Sequence, residues 1–260
     1  MSLENLGVSV SDVALKSAQR LFEMLPLEHL QIKLPAQGDS RRRLEDNLAA
    51  FKCSFPSVKL SVHASGQINL AEPVNAVRQT WLELAVQAVK SAADMCASFV
   101  VFHGGSAQGR NPVAVRASAR NCLCDSLDEL LCYSADLGCD IHLENIYPAP
   151  LRSELVRLMD RVEDYRYIAD ALEHERLKFC FDFGHAMIDD RGLPILDDIL
   201  SQGKLGSVHI HENDRQNDLH LPPTELFDWQ EYLGKIPSGV PLILETKTEN
   251  LPQAVQALQL

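Results

Sequence analysis

Most of the nine histidines in this 260-residue chain stand at or near the ends of short apolar runs, several beside a carboxylate. In chain order the motifs are Ser61-Val62-His63-Ala64, Val101-Phe102-His103-Gly104-Gly105, His142-Leu143-Glu144-Asn145, Asp182-Phe183-Gly184-His185, His209-Ile210-His211-Glu212, Asp218-Leu219-His220 and Leu244-Glu245-Thr246. A neutral imidazole is a good ligand for Zn2+ or Mn2+, and a carboxylate can bridge two ions. Without a cation, so many carboxylates in one apolar pocket would repel one another and be costly to desolvate. If the runs are converging strands, their ends make a metal site in which Glu144 and Glu245 could straddle a substrate.

The elements that must position these groups are legible as alternating short apolar runs and longer amphipathic stretches. Strands are predicted at Leu6–Val10, His29–Lys33, Val58–His63, Phe99–His103, Asp140–Glu144, Lys178–Asp182, Gly206–His211 and Pro241–Glu245. Helices are predicted at Ala76–Met95, Arg116–Leu137 and Glu154–Glu173, where apolar residues recur at three- and four-residue spacing. Strands linked through helices are parallel, and eight of them in 260 residues predict a (β/α)8 TIM barrel with its chemistry at the C-terminal strand ends. The two-residue period of a strand turns His142 inward with Glu144, His209 with His211, Ser61 with His63 and Ile243 with Glu245. The segment Asn250–Leu260 is short for a closing helix and predicts thin cover at that edge.

No shift in composition and no linker divides the chain, so one domain over residues 1–260 is expected. With 46% hydrophobic residues it can build one large core. The net charge of −12 disfavours polyanion binding, although a basic patch can coexist with an acidic whole. There is no signal-peptide pattern and no apolar run long enough for a bilayer, so a protein free of the membrane is expected. The seven cysteines make no CxxC pair and read as reduced, mostly buried thiols of a cytoplasmic protein. Arg41-Arg42-Arg43 reads as a solvated helix face, and Gly104-Gly105-Ser106 as either a simple turn or an anion-cradling loop.

Taken together and in order, the motifs resemble those of the xylose isomerase-like barrel superfamily, which includes endonuclease IV and sugar-phosphate isomerases and epimerases. The resemblance runs from about Val58 to Thr246 and includes His63-Ala64-Ser65-Gly66-Gln67-Ile68-Asn69-Leu70-Ala71, Val101–Ser106, Leu143-Glu144-Asn145, Asp182–His185 and Asp218–Pro223. It implies a metal ligand set of His63, His103, Glu144, Asp182, His185, His211, Asp218, His220 and Glu245, holding one to three ions of Zn2+ or Mn2+. Within that set Glu144 and Glu245 would bridge ions or hold the central one. His63 and His103 would bind a second ion with Glu144, and His185, Asp218 and His220 a third. His211 is preferred as ligand over His209, which would contact substrate or support the ligands. His142 either lines the pocket or hydrogen-bonds deeper in the barrel, and Arg110 or Arg215, on predicted loops, offers a grip on a substrate phosphate.

The activity implied is metal-dependent isomerisation or epimerisation of a small sugar, sugar phosphate or related polyol or keto acid through a metal-held enediolate. Glu144 and Glu245 would be the acid–base pair. Two other readings stand beside it: an endonuclease IV-like phosphoester hydrolase, and a metal-binding domain without turnover. Two departures bear on the choice. Gly66 occupies the position where the DNA-repair enzymes place a tyrosine that packs against distorted DNA, so a DNA partner is not expected. Thr224-Glu225-Leu226 replaces a glycine-containing turn after the Leu-Pro-Pro segment. The expected partner is a small carbohydrate-like molecule, with no expectation about oligomeric state.

Overall fold

Alternation along each short apolar run sorts its side chains onto two faces, and in the computed structural model those faces become the inside and outside of a barrel. The structure describes residues 5–11, 14–34, 40–188, 192–225 and 227–259, leaving aside the side chains of residues 16, 40–43, 45 and 259. The Arg41–Arg43 side chains and Leu226 therefore lie outside the described residues.

Barrel strands are β1 (Leu6–Ser11), β2 (His29–Lys33), β3 (Lys59–His63), β4 (Phe99–His103), β6 (Asp140–Glu144), β8 (Leu177–Asp182), β9 (Leu205–Ile210) and β10 (Leu242–Leu244). They close in the order β1-β10-β9-β8-β6-β4-β3-β2, every pair parallel. All eight predicted strands are present, and the fold is a (β/α)8 TIM barrel. The strands β9 and β10 stop one residue short of their predicted ends, so His211 and Glu245 stand just beyond the ladder.

The helices α1 (Leu15–Met24), α2 (Ser40–Ser54), α3 (Asn75–Asp94), α4 (Pro112–Leu137), α5 (Val162–Ala171), α6 (Phe183–Met187), α7 (Leu193–Ser201), α8 (Trp229–Leu233) and α9 (Leu251–Gln259) lie between and after the strands. Outward strand residues such as Leu30, Ile32, Leu60, Val62, Ile141, Leu143, Val208 and Ile210 join the main core with them. Helix α4 has a full set of end signals: Asn111 accepts from the Ala114 amide, Pro112 opens the first turn, and Gly138 closes at φ 70°. Cover by α9 is not thin. Leu251, Ala254, Val255 and Leu258 share one buried face at three- and four-residue spacing, so nine residues seal the edge.

The predicted helix Glu154–Glu173 is corrected. Its first part is the strand β7 (Leu155–Arg157), which pairs antiparallel with β5 (Ser106–Gln108), and only Val162–Ala171 is helical. Gly105 at φ 81° turns the chain after β4 and its carbonyl accepts the Leu158 amide, so the backbone of the segment is satisfied by a sheet instead of a helix. The junction is clamped from α4. Arg116 Nη1 lies 2.8 Å from Asp160 Oδ1 and 2.5 Å from Asp164 Oδ2, Arg120 Nε lies 2.7 Å from Asp164 Oδ1, and the Met159 amide donates to Asp164.

The barrel interior is polar where such barrels are usually filled with branched apolar residues. His29, Gln31, Ser61, His63, His142, Glu144, Asp182, Ser207 and His209 are all buried. His29 Nε2 meets Ser61 Oγ at 2.8 Å, and His142 Nδ1 meets Ser207 Oγ at 2.9 Å while its ring stacks on Phe99. All seven cysteines are free. The expectation of mostly buried thiols holds for Cys139 and Cys180 but not for Cys53, Cys96 and Cys132, which are exposed. Among the described residues, no helix is long and apolar enough to cross a membrane.

Candidate metal centre

Glu144, at the C-terminal end of β6, is the hub of the site. Its Oε2 lies 3.0 Å from His63 Nε2 and 3.2 Å from His103 Nε2, brought by the ends of β3 and β4. Its Oε1 lies 3.0 Å from His209 Nδ1 and 3.5 Å from His185 Nδ1. Asp182, at the end of β8, caps α6 by accepting the His185 amide at 2.7 Å, so one carboxylate both starts a helix and enters the site. Its oxygens are 3.1 and 3.2 Å from His211 Nε2.

Asp218 and His220 arrive on a loop. Glu212 and Leu221 exchange both backbone hydrogen bonds, at 2.8 and 2.7 Å, which folds residues 213–220 back over the barrel mouth. Asp214 holds the tip through the Gln216 and Asn217 amides, and His220 takes φ 50° to turn inward. Asp218 Oδ2 then lies 3.4 Å from His185 Nε2 and 3.5 Å from His220 Nε2, and the His220 ring stacks on His211 at 4.2 Å. Glu245 follows β10; its Oε2 is 3.0 Å from Lys33 Nζ and its Oε1 is 3.7 Å from His209 Nδ1.

Four of these histidines share one arrangement. The Nδ1 atoms of His63, His185, His211 and His220 face the carbonyls of Ala64, Asn145, Glu212 and Glu245 at 2.7, 2.8, 3.3 and 2.8 Å. A carbonyl only accepts, so each Nδ1 carries a proton and each Nε2 is turned toward a carboxylate. This is how metal-ligating histidines are held. A bare Nε2 facing a carboxylate is repulsive unless a proton or a metal ion lies between them. Among the described residues, the buried Asp218 Oδ1 and Glu245 Oε1 have no hydrogen-bond partner, and the donors form four overlapping triads: His63-Glu144-His209, Asp182-His185-His211, His211-Asp218-His220 and Asp182-His209-Glu245. The residues fit divalent metal. His209 departs from the four: its Nδ1 faces carboxylates and its Nε2 is buried without a hydrogen-bond partner among the described residues.

The electrostatics carry the same message. Burial alone would lift Glu144, but His209 and His103 hold it well below the ordinary carboxylate range; Lys33 and His209 do the same for Glu245. Burial opposes a charge on His185, yet Asp182, Asp218 and Glu144 raise it to about 10. The site attracts positive charge.

Ten of the sequence-derived positions therefore converge: His63, His103, Glu144, Asp182, His185, His209, His211, Asp218, His220 and Glu245. Seven of them, His63, His103, Glu144, His185, Asp218, His220 and Glu245, line a cavity of about 270 Å³ at the barrel mouth, walled also by Lys33, Leu34, Ala64, Ser65 and Gly66. Three positions do not join them. His142 sits one layer deeper on Ser207, and burial keeps it neutral. The Arg110 side chain is 95% exposed beside Glu154, and Arg215 lies on the exposed part of the loop after β9 at φ 66°, neither lining the cavity. The Gly104-Gly105-Ser106 segment turns into the strand β5 and not into a helix, and its Ser106 amide is taken by the Asn69 side chain at 2.9 Å, which favours the simple turn.

Two residues were passed over in the sequence. Lys33 is in phase with His29 and Gln31 at a strand end, which was the signal for it. Asn145, in the quoted Leu143-Glu144-Asn145 motif, ties the end of β6 to Asp182 through Oδ1 at 2.6 Å and Nδ2 at 2.8 Å.

Comparison with known proteins bears on this architecture. A sequence search of curated proteins returns no match. Among solved structures, a D-tagatose 3-epimerase-like protein is 20% identical with TM-score 0.78, covering 97% of this chain and 98% of its own. A Thermus thermophilus protein soaked with ZnCl2 is 21% identical with TM-score 0.77, covering 98% and 96%. A D-psicose 3-epimerase from Clostridium cellulolyticum H10, solved with D-tagatose, is 14% identical with TM-score 0.72, covering 98% and 99%. At these identities the likeness is one of fold. The model of the xylose isomerase-like TIM barrel matches residues 13–260, and the chain belongs to that family.

Proposed function

We propose that the protein is a metal-dependent isomerase or epimerase of a small sugar, sugar phosphate or related polyol or keto acid. The observation that carries the reading is the pair Glu144 and Glu245, both buried, both lining one cavity of about 270 Å³, with His209 in contact with each. That volume suits a small ligand. The Thermus neighbour's ZnCl2 soak and the epimerase names of the other two support it in kind.

The ligands assigned are His63, His103, Glu144, Asp182, His185, His211, Asp218, His220 and Glu245, with Zn2+ or Mn2+ as the ions. When bound, the ion supplies a Lewis acid that draws charge from a substrate carbonyl and its adjacent hydroxyl. The chain's own part is proton handling. Glu144 and Glu245 are held ionised by their cationic neighbours, so either can take a proton from the substrate carbon and the other, once loaded, return one. His209 sits between them and orients both. Gly66 has no side chain to fill a gap in a duplex, and a Cβ there would meet only the His103 ring at 3.3 Å.

A phosphoester hydrolase is the second reading. It is favoured by the overlapping triads, which hold more donors than one ion uses; adjacent ions stabilise in-line displacement at phosphorus.

Elemental analysis of protein purified without chelator should give at least one Zn2+ or Mn2+ per chain. A panel of ketoses and their phosphates in deuterated water should show exchange of a sugar C–H, abolished in Glu245→Gln, whose folding is checked by circular dichroism. Nicking of an abasic duplex without sugar exchange would replace the first reading with the second. A chain that takes up neither metal would end both.

A further inference from the structure

Glu144 and Glu245 are the same residue type in one cavity, but their oxygens do not face the same chemistry. Both oxygens of Glu144 face imidazole nitrogens, at 3.0 and 3.2 Å on Oε2 and at 3.0 Å on Oε1. A neutral imidazole places no fixed charge on the oxygen it faces, whether it joins the metal as His63 and His103 would or stands beside it as His209 would, so both Glu144 oxygens stay open to metal. Glu245 Oε2 instead faces Lys33 Nζ at 3.0 Å, while Oε1, buried and without a hydrogen-bond partner among the described residues, lies 3.7 Å from His209 Nδ1. An ammonium has three donors and no lone pair, so it competes with metal and does not join it.

Resting on the metal-centre reading above, we propose that Lys33 makes the two glutamates unequal: it holds one oxygen of Glu245, so Glu245 offers a single oxygen to metal while Glu144 keeps two for bridging. Three features support this assignment. Lys33 ends β2 in register with His63, so its base is fixed by the barrel wall. It is the only lysine or arginine among the described residues lining the cavity. The Glu245 main-chain carbonyl accepts from His220 Nδ1 at 2.8 Å, so the backbone that carries the Glu245 side chain is fixed at the site as well. Lys33 thereby acts as a positioning residue, setting how many ligand oxygens the centre has and how much positive charge it needs from outside.

The test uses the full chain loaded with Co2+ and Zn2+, comparing the natural protein with Lys33→Met and Lys33→Arg. Lys33→Met removes one positive charge and frees one oxygen. Its Co2+ visible absorption should weaken and shift as coordination number rises, and its Zn2+ affinity in chelator competition should rise about tenfold, opposite in sign to the loss that follows when a group supporting a ligand is removed. Lys33→Arg should restore both readings toward the natural protein. An unchanged cobalt spectrum with unchanged affinity overturns the proposal, as does weaker binding in Lys33→Met. A raised KM with unaltered metal binding also overturns it and gives Lys33 to the substrate. If the natural protein binds neither ion, the metal-centre reading itself has failed, and the two failures are thereby distinguished.

Discussion

A histidine that donates one ring N–H to a carbonyl has only its other nitrogen left for chemistry. His63, His185, His211 and His220 all do this, and that arrangement, more than the number of histidines, marks the centre as built for cations. Small residues beside the ligands matter for the same reason. A Cβ on Gly184 would lie 1.9 Å from His211 Cε1, so Gly184→Ala must push that ring aside. We expect the fold to survive, since the ring is the free end of a side chain, while metal affinity falls by roughly tenfold or more, read by chelator competition beside a thermal melt. Glu245→Gln keeps the shape of the side chain but loses its charge. Turnover should be lost with the circular dichroism spectrum unchanged, and unaltered turnover would remove Glu245 from the mechanism.

At the scale of elements, the loops do as much as the strands. The ends of β3, β4, β6 and β8 bring His63, His103, Glu144 and Asp182 directly, but Asp218 and His220 depend on the hairpin closed by Glu212 and Leu221. On the other side, the β5–β7 pair and α5 hang on Asp164, whose side chain is 1% exposed and serves Arg116, Arg120 and the Met159 amide. Asp164→Ala leaves two guanidinium groups without that partner, and a broken buried pair of this kind costs about 3 kcal/mol. Urea denaturation should register that loss. Metal content should not change, because no ligand rests on Asp164; a lost metal centre would mean that the clamp reaches further than the contacts indicate.

Over the whole molecule, the polar barrel interior ties stability to pH. Burial, with Lys59 adding to it, lowers His29 to about 3 from its ordinary 6.5. The native state therefore binds fewer protons than the unfolded chain below pH 6.5. The contribution is complete above that pH and is lost as pH falls toward 3, with a slope of about 1.4 kcal/mol per pH unit for one proton. His29→Gln should flatten the acid limb of a stability–pH profile by roughly 1 kcal/mol per unit between about pH 6 and pH 4. An equally steep limb in the variant would mean that His29 titrates normally.

Strand alternation is a local property, so the eight strands, the inward set His63, Glu144 and His209, and the barrel itself were legible along the chain. The expectation that His211 and Glu245 end their strands was right to one residue. What could not be read was anything decided by closure. Lys33 and Glu245 are 212 residues apart and meet only because β10 pairs with β1 and β1 with β2. His142 has the right phase for the site but sits one layer too deep, on a serine 65 residues away. Glu154–Glu173 has helical spacing throughout, yet its first turn is claimed by a strand partner at Ser106–Gln108 that no local pattern announces. Residue type and period determine which groups can reach the barrel mouth; which atom of each faces which is set by long-range pairing, because hydrogen bonds are satisfied in three dimensions and not along the chain.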